Sequence, residues 1–196
     1  MNHPLPLRRA AASLACALAL PALAEGGTVT GKVGATPAKY LPETVVYLKA
    51  VAGTYAPRKH TMDQRGMQFL PHVLPITQGD TVEFLNNDHV AHNVYSPDGE
   101  GYNLGTFKQN ENASYTFKKT GVYSQLCSIH PEMLAYVFVG QNPYAAAVDS
   151  GGRYAIKGVP PGTYQLAVWN AKLKAADRPV TVTAGKSTQV DLSIQR

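Results

Sequence analysis

The stretch Cys127-Ser128-Ile129-His130-Pro131-Glu132-Met133 sets a thiol, an imidazole and a thioether at equal intervals of three. Thiolate and thioether are soft donors, and with imidazole they favour copper over magnesium, calcium or manganese. Two strands hold this loop. Gly121 to Leu126 precedes it and Ala135-Tyr136-Val137-Phe138-Val139 follows, both β-branched and aromatic in the manner of strands. A fourth donor lies 35 residues before Cys127, in Asn87-Asp88-His89-Val90-Ala91-His92-Asn93, where His92 on a neighbouring loop would complete a two-histidine, one-cysteine plane with Met133 as a weak axial donor. Taken alone, a cysteine near a histidine is more often a small buried hydrophobe. The methionine at the matching interval and the strand on each side weigh against that ordinary reading.

These residues resemble the cupredoxins, and among them the small plastocyanin-like and amicyanin-like proteins. The resemblance runs from Gly79-Asp80-Thr81-Val82-Glu83-Phe84-Leu85-Asn86-Asn87 to His92-Asn93-Val94, and from Gly121 and Tyr123 to Cys127, His130 and Met133. The two residues between His130 and Met133 are similar to the short ligand loop of amicyanin. The resemblance implies an all-β chain with a Greek-key cupredoxin β-sandwich, one type 1 copper ion, His92, Cys127 and His130 as equatorial ligands and Met133 as the axial one. It also implies that Asn93, after the first histidine, ties the two ligand loops together. His89 competes with His92, but Asn93 fits the family pattern only if His92 is the ligand, which leaves His89 facing solvent. Gln125 stands where the family usually has an aromatic residue.

The remainder of the chain constrains compartment and class. Its 196 residues, 44% of them hydrophobic, are enough for one large or two small domains with cores. Residues 1–24 read as a secretory signal: Arg8 and Arg9, an apolar run from Ala10 to Leu20, and Ala22-Leu23-Ala24 as an A-x-A site, with cleavage after Ala24. The expected location is the periplasm. That apolar run is too short to span a bilayer, and no later stretch reaches the ~20 apolar residues a span needs. Of the two cysteines, Cys16 departs with the leader, so Cys127 has no disulfide partner within the exported chain. A bare thiol in an oxidising compartment is a liability that metal binding removes. Loss of Arg8 and Arg9 lowers the formal charge from +5 to +3, too mild to argue for nucleic acid or a membrane surface.

From Gly27 to Val51 the pattern is β, with strands at 28–33 and 44–51. Residues 56–67 are polar and read as a connecting loop; His60, Met62 and Met67 in it raise the question of a second copper site. His72, between prolines, reads as packed or hydrogen-bonded. Residues 96–120 read as turns around one strand at 113–117. After Gly140 come strands at 153–156, 163–169, 179–183 and 188–194. This last segment resembles the carboxypeptidase regulatory-like β-sandwich through Gly152-x-Tyr154 and Val159-Pro160-Pro161-Gly162-Thr163-Tyr164, a module that begins with a strand like Thr28 to Val33. Two strands bury little by themselves and four need completion. We therefore expect residues 27–53 and 144–196 to form one discontinuous sandwich, with a cupredoxin over 57–140 inserted in it.

Function follows as an expectation. Soft sulfur donors suit Cu(I) and imidazoles Cu(II), and no position is left open for a substrate. The H-x-H and H-C-H clusters of multicopper oxidases are absent from the sequence. The chain reads as an electron carrier and not an enzyme. The resemblance implies weak, transient docking of a redox protein, a cytochrome c or a periplasmic oxidoreductase, at an apolar patch around His130 that includes Pro131 and Leu134. Copper delivery or storage is the alternative, in which His60, Met62 and Met67 would matter.

Overall fold

Strand follows strand through residues 25–196, the part of the chain that the computed structural model describes; the leader expected over residues 1–24 lies outside it. Two strands come first, β1 (Gly27–Thr36) and β2 (Thr44–Lys49). Nine follow between residues 59 and 140: β3 (Lys59–Gln64), β4 (Phe69–Leu70), β5 (Val73–Thr77), β6 (Thr81–Asn86), β7 (His92–Ser96), β8 (Tyr102–Phe107), β9 (Asn112–Thr116), β10 (Gly121–Leu126) and β11 (Leu134–Gly140). The last six are β12 (Ala145–Ala147), β13 (Arg153–Val159), β14 (Gly162–Asn170), β15 (Arg178–Val182), β16 (Ser187–Gln189) and β17 (Leu192–Gln195).

Four sheets result. The middle strands pair among themselves, in the orders β5-β11-β10-β7-β8 and β4-β3-β6-β9. Between these two sheets lies a core of Met62, Phe69, Val82, Phe84, Val94, Phe117, Tyr123, Val137 and Val139, all but excluded from water. Each such side chain contributes about 1.5–3 kcal/mol on burial. The outer strands likewise pair with one another: β1 lies against β13, β16 and β17, and β2 between β12 and β14, with β15 beyond. Their own core holds Val29, Val33, Val46, Leu48, Ile156, Leu166, Val180 and Ile194.

The middle and outer pairs of sheets meet through a third, smaller cluster. Strand β11 alternates so that Ala135, Val137 and Val139 face the middle core while Phe138 packs with Val45 and Val73, flanked by Tyr47, Val122, Tyr136 and Trp169. A strand covered on both faces reads as a near-continuous apolar run, which is why Leu134 to Val139 carries no charge.

Some connections differ from expectation. Residues 59–64 form β3, parallel to β6, in place of a loop. Residues 102–107 form β8 where turns were expected, and residues 188–194 divide into β16 and β17, which pair side by side with successive parts of β1.

Candidate metal centre

Antiparallel pairing of β10 with β11 runs from Gly121↔Val139 to Leu126↔Leu134, so the loop 127–133 closes this pair at one end of the middle sheet. Cys127 is buried at its start. The first residue of β7 is His92, which is fully buried, and β10 and β7 are paired at Leu126↔Tyr95. This pairing brings together the two stretches that sequence reading singled out.

The donor atoms converge. One ring nitrogen each from His92 and His130 and the Sγ of Cys127 all lie within 4.8 Å of one another. His92 Nδ1 and His130 Nδ1 are 3.0 Å apart, and Cys127 Sγ is 3.8 Å from His130 Nδ1. Two imidazole nitrogens and a thiol aimed at one point, with no disulfide partner for the thiol among the described residues, form a donor set that suits copper. Met133 is buried in the core that also contains Cys127, and its backbone N–H donates to the His130 carbonyl at 3.0 Å, closing the loop into a tight turn.

Asn93 links the two loops. Its backbone N–H donates to Cys127 Sγ at 3.3 Å, and its side-chain Oδ1 accepts from the Ser128 N–H at 3.3 Å. Its Nδ2 donates to Asn103 Oδ1 at 2.9 Å and to the Gly105 carbonyl at 2.8 Å, anchoring it to β8. A hydrogen bond to sulfur and a fixed loop both restrict how the donors sit.

On the remote side, His92 Nε2 lies 3.1 Å from Asp88 Oδ2. That carboxylate also accepts the Met67 N–H at 2.8 Å and the His89 N–H at 2.9 Å. Its pKa is lowered to about 2, first by the Met67 N–H and next by His92, against a smaller opposing effect of burial. Sequence reading passed over Asp88; a carboxylate four residues before the histidine in the same loop was the available signal.

Gln125, the polar departure below Cys127, is fully buried and satisfied. The Tyr102 hydroxyl donates to its Oε1 at 2.5 Å, and its Nε2 donates to the Tyr123 carbonyl at 3.0 Å. The other histidines sort as follows. His89 is exposed, with Gln109 Nε2 3.3 Å from its ring. His72 packs edge-on against Tyr136 at 5.9 Å between centroids. His60 pairs with Asp80 at 2.8 Å. The structure does not gather His60, Met62 and Met67: Met62 is buried in the middle core, while Met67 stands exposed on a hairpin. Leu134, expected in the apolar patch, is half-buried. The exposed large hydrophobic residues among those described are Met67, Leu70, Val90 and Ile129.

Residues 56–140 match the family of copper binding proteins that contains plastocyanin and azurin. This segment is similar to the cupredoxins. A second family model, polysaccharide lyase family 4 domain II, matches residues 134–190, so the β-domain expected there is matched under a name other than the carboxypeptidase regulatory-like one. Among solved structures, a purple cupredoxin from Nitrosopumilus maritimus is 27% identical, with 41% of this chain and 98% of that one covered and a TM-score of 0.38. A reduced amicyanin variant is 29% identical over 40% of this chain and 79% of its own, at a TM-score of 0.39. A copper-containing nitrite reductase from Thermus scotoductus SA-01 is 30% identical over 56% of this chain and 28% of that protein, at a TM-score of 0.41. Among curated proteins none matches the chain. The matched segment thus resembles copper-binding proteins and carries a donor cluster that could hold the ion, and no helix among the described residues is long and apolar enough to cross a membrane.

Proposed function

We propose that this chain is an exported type 1 copper protein that carries single electrons between redox partners. His92 Nδ1, Cys127 Sγ and His130 Nδ1 would hold the ion, with the Met133 thioether as the fourth donor. The observation that carries this reading is the convergence of two imidazole nitrogens and a buried thiol within 4.8 Å, inside a segment matched to a copper-binding family. Copper, when bound, supplies a one-electron couple.

The protein's part is to hold four donors still and keep three of them dry. His92, Cys127 and Met133 are each at most 2% exposed. Asn93 fixes the thiol side, and the Met133 N–H bond to His130 O sets the turn between two donors. A donor set that does not rearrange between oxidation states keeps electron exchange fast. His130 is only partly covered, and Ile129, between Cys127 and His130, is 46% exposed, with Val90, two residues before His92, at 44%. An apolar rim beside a partly open ligand suits the small, weak encounters of electron-transfer partners. We further propose that residues 27–53 and 144–196 make one sandwich in which the cupredoxin is inserted, and that cleavage after Ala24 leaves the mature protein in the periplasm.

Absorption and EPR spectra of the copper-loaded protein test the assignment. An intense thiolate-to-copper band is expected, absent in Cys127→Ser while the metal-free variant keeps its fold by circular dichroism. A loaded wild type without that band, or a band that survives in Cys127→Ser, overturns the proposal.

A further inference from the structure

The hydrogen bonds on the far side of His92 carry a consequence that rests on the copper assignment above. An imidazole that presents the Nδ1 lone pair to a metal must carry its proton on Nε2. Here Nε2 meets Asp88 Oδ2 at 3.1 Å, and the ring is fully buried, so no water competes for that proton. Such carboxylate–histidine pairs fix the ring tautomer and orientation and raise the basicity of the ligating nitrogen.

The carboxylate is itself held from several sides. Oδ2 receives the Met67 N–H and Oδ1 the His89 N–H. The Asp88 N–H donates at 2.9 Å to Oδ1 of Asn86, a fully buried side chain whose Nδ2 donates to the carbonyls of Val90 and Phe107. Met67 delivers its N–H from a left-handed backbone, φ 58°, which non-glycine residues seldom adopt. Strain of this kind persists where surrounding contacts impose it. The β3–β4 hairpin tip and the loop 86–92 therefore meet on one carboxylate, with its lone pairs committed to donors of fixed position.

We propose that Asp88 is a positioning residue for the copper site: it locks His92 in the Nε2–H tautomer with Nδ1 facing the cluster, and its negative charge favours the metal ion in its higher charge state, lowering the reduction potential. The charge effect separates this role from a purely structural one. Loss of a loop contact weakens both oxidation states alike. Loss of a nearby anion weakens the more highly charged one more.

The test compares wild type, Asp88→Asn and Asp88→Glu. In the metal-free protein, long-range 15N NMR of the His92 ring should report the Nε2–H tautomer in wild type and Asp88→Glu and a mixture in Asp88→Asn. In the loaded protein, Asp88→Asn should bind Cu(II) roughly 10- to 100-fold more weakly, the range for loss of such partners, with a smaller loss for Cu(I). Each tenfold change in the ratio of the two affinities raises the potential by about 59 mV, and Asp88→Glu should recover most of the difference. Equal losses for the two oxidation states, with an unchanged potential, overturn the proposal, as does an unchanged tautomer in Asp88→Asn. If wild type binds no copper, the functional reading fails, while the metal-free tautomer measurement still decides whether Asp88 sets the ring.

Discussion

A buried amide lies beneath the candidate metal centre. Gln125 sits two residues before Cys127 on the same face of β10, and both of its polar ends are bonded, to the Tyr102 hydroxyl and the Tyr123 carbonyl. Tyr102 in turn stacks on Tyr115 with centroids 3.9 Å apart and meets Phe117 edge-on at 5.9 Å. Burial, the largest influence, pushes the Tyr102 hydroxyl well above the usual tyrosine range. Replacing Gln125 by leucine leaves that hydroxyl buried without an acceptor, at a cost of about 1–3 kcal/mol. Urea denaturation of the metal-free protein should register this loss, and Gln125→Leu/Tyr102→Phe, which removes both partners, should recover much of it. The sequence exposes Gln125 as a polar oddity but not its partner. Tyr102 lies 23 residues away on a strand that reads as turns, because Asn103 and Gly105 break its alternation. The proposed ligands were legible for the opposite reason: Cys127, His130 and Met133 are spaced by the local turn itself, and His92 is marked by the Asn93 that follows it. Asp88 was missed because its role depends on ring orientation and on a hairpin contributed from Met67.

At the scale of an element, β1 does the most joining. It pairs with β13 along one edge and with β16 and then β17 along the other. The change of partner happens at Gly31, where an added Cβ would stand 1.9 Å from the Val190 carbonyl oxygen, so only glycine admits the crossing chain. Tyr154 on β13 seals this point, its hydroxyl donating to that same carbonyl at 2.6 Å. Desolvation, helped by Asp191, raises the Tyr154 pKa from 10.0 to about 12. Its folded value thus exceeds its unfolded one, so the unfolded state releases the proton first as pH rises. The stability tied to this group is complete below about pH 10 and is lost as pH climbs from there through about 12. Tyr154→Phe should be somewhat less stable at neutral pH, by about 0.5–1.5 kcal/mol for the lost bond. It should also show a shallower decline than wild type between about pH 9 and 11 in chemical denaturation. An identical alkaline slope in the two proteins would refute the assignment. Alternating strands such as β6 and β14 were readable because one face is apolar. β3 was not, since Lys59-His60-Thr61-Met62-Asp63-Gln64 offers one hydrophobic side chain and takes its place from pairing with β6.

The arrangement of the whole molecule turns on where the chain leaves and re-enters the outer sheets. β2 and β12 are antiparallel neighbours, Tyr47 opposite Ala145 and Val45 opposite Ala147, so residues 50–144 take the place of a hairpin loop between them. The two stems are tied by the Leu48 N–H bond to the Tyr144 carbonyl and by Asn142 Nδ2 on the Leu48 carbonyl, each at 2.9 Å. Close-set ends are what a domain insertion requires. Side chains reinforce the arrangement: Trp169 on β14 lies 5.2 Å from Tyr136 and 6.3 Å from Phe138 between centroids, and Tyr47 lies 4.8 Å from Phe138. The insertion we propose therefore predicts how the molecule comes apart. Cleavage within residues 141–144 would leave β1 and β2 paired to strands on the other side of the cut, and the two pieces should stay together under native conditions and separate only in denaturant. A freed 25–140 piece would carry β1 without β13, β16 or β17, and β2 without β12 or β14, and should aggregate. Introducing a specific protease site at 141–144 and following the products by size-exclusion chromatography and copper content decides the matter. A monomeric 25–140 fragment that elutes alone with its copper would mean that the first two strands belong with the cupredoxin and that the C-terminal strands are an appendage.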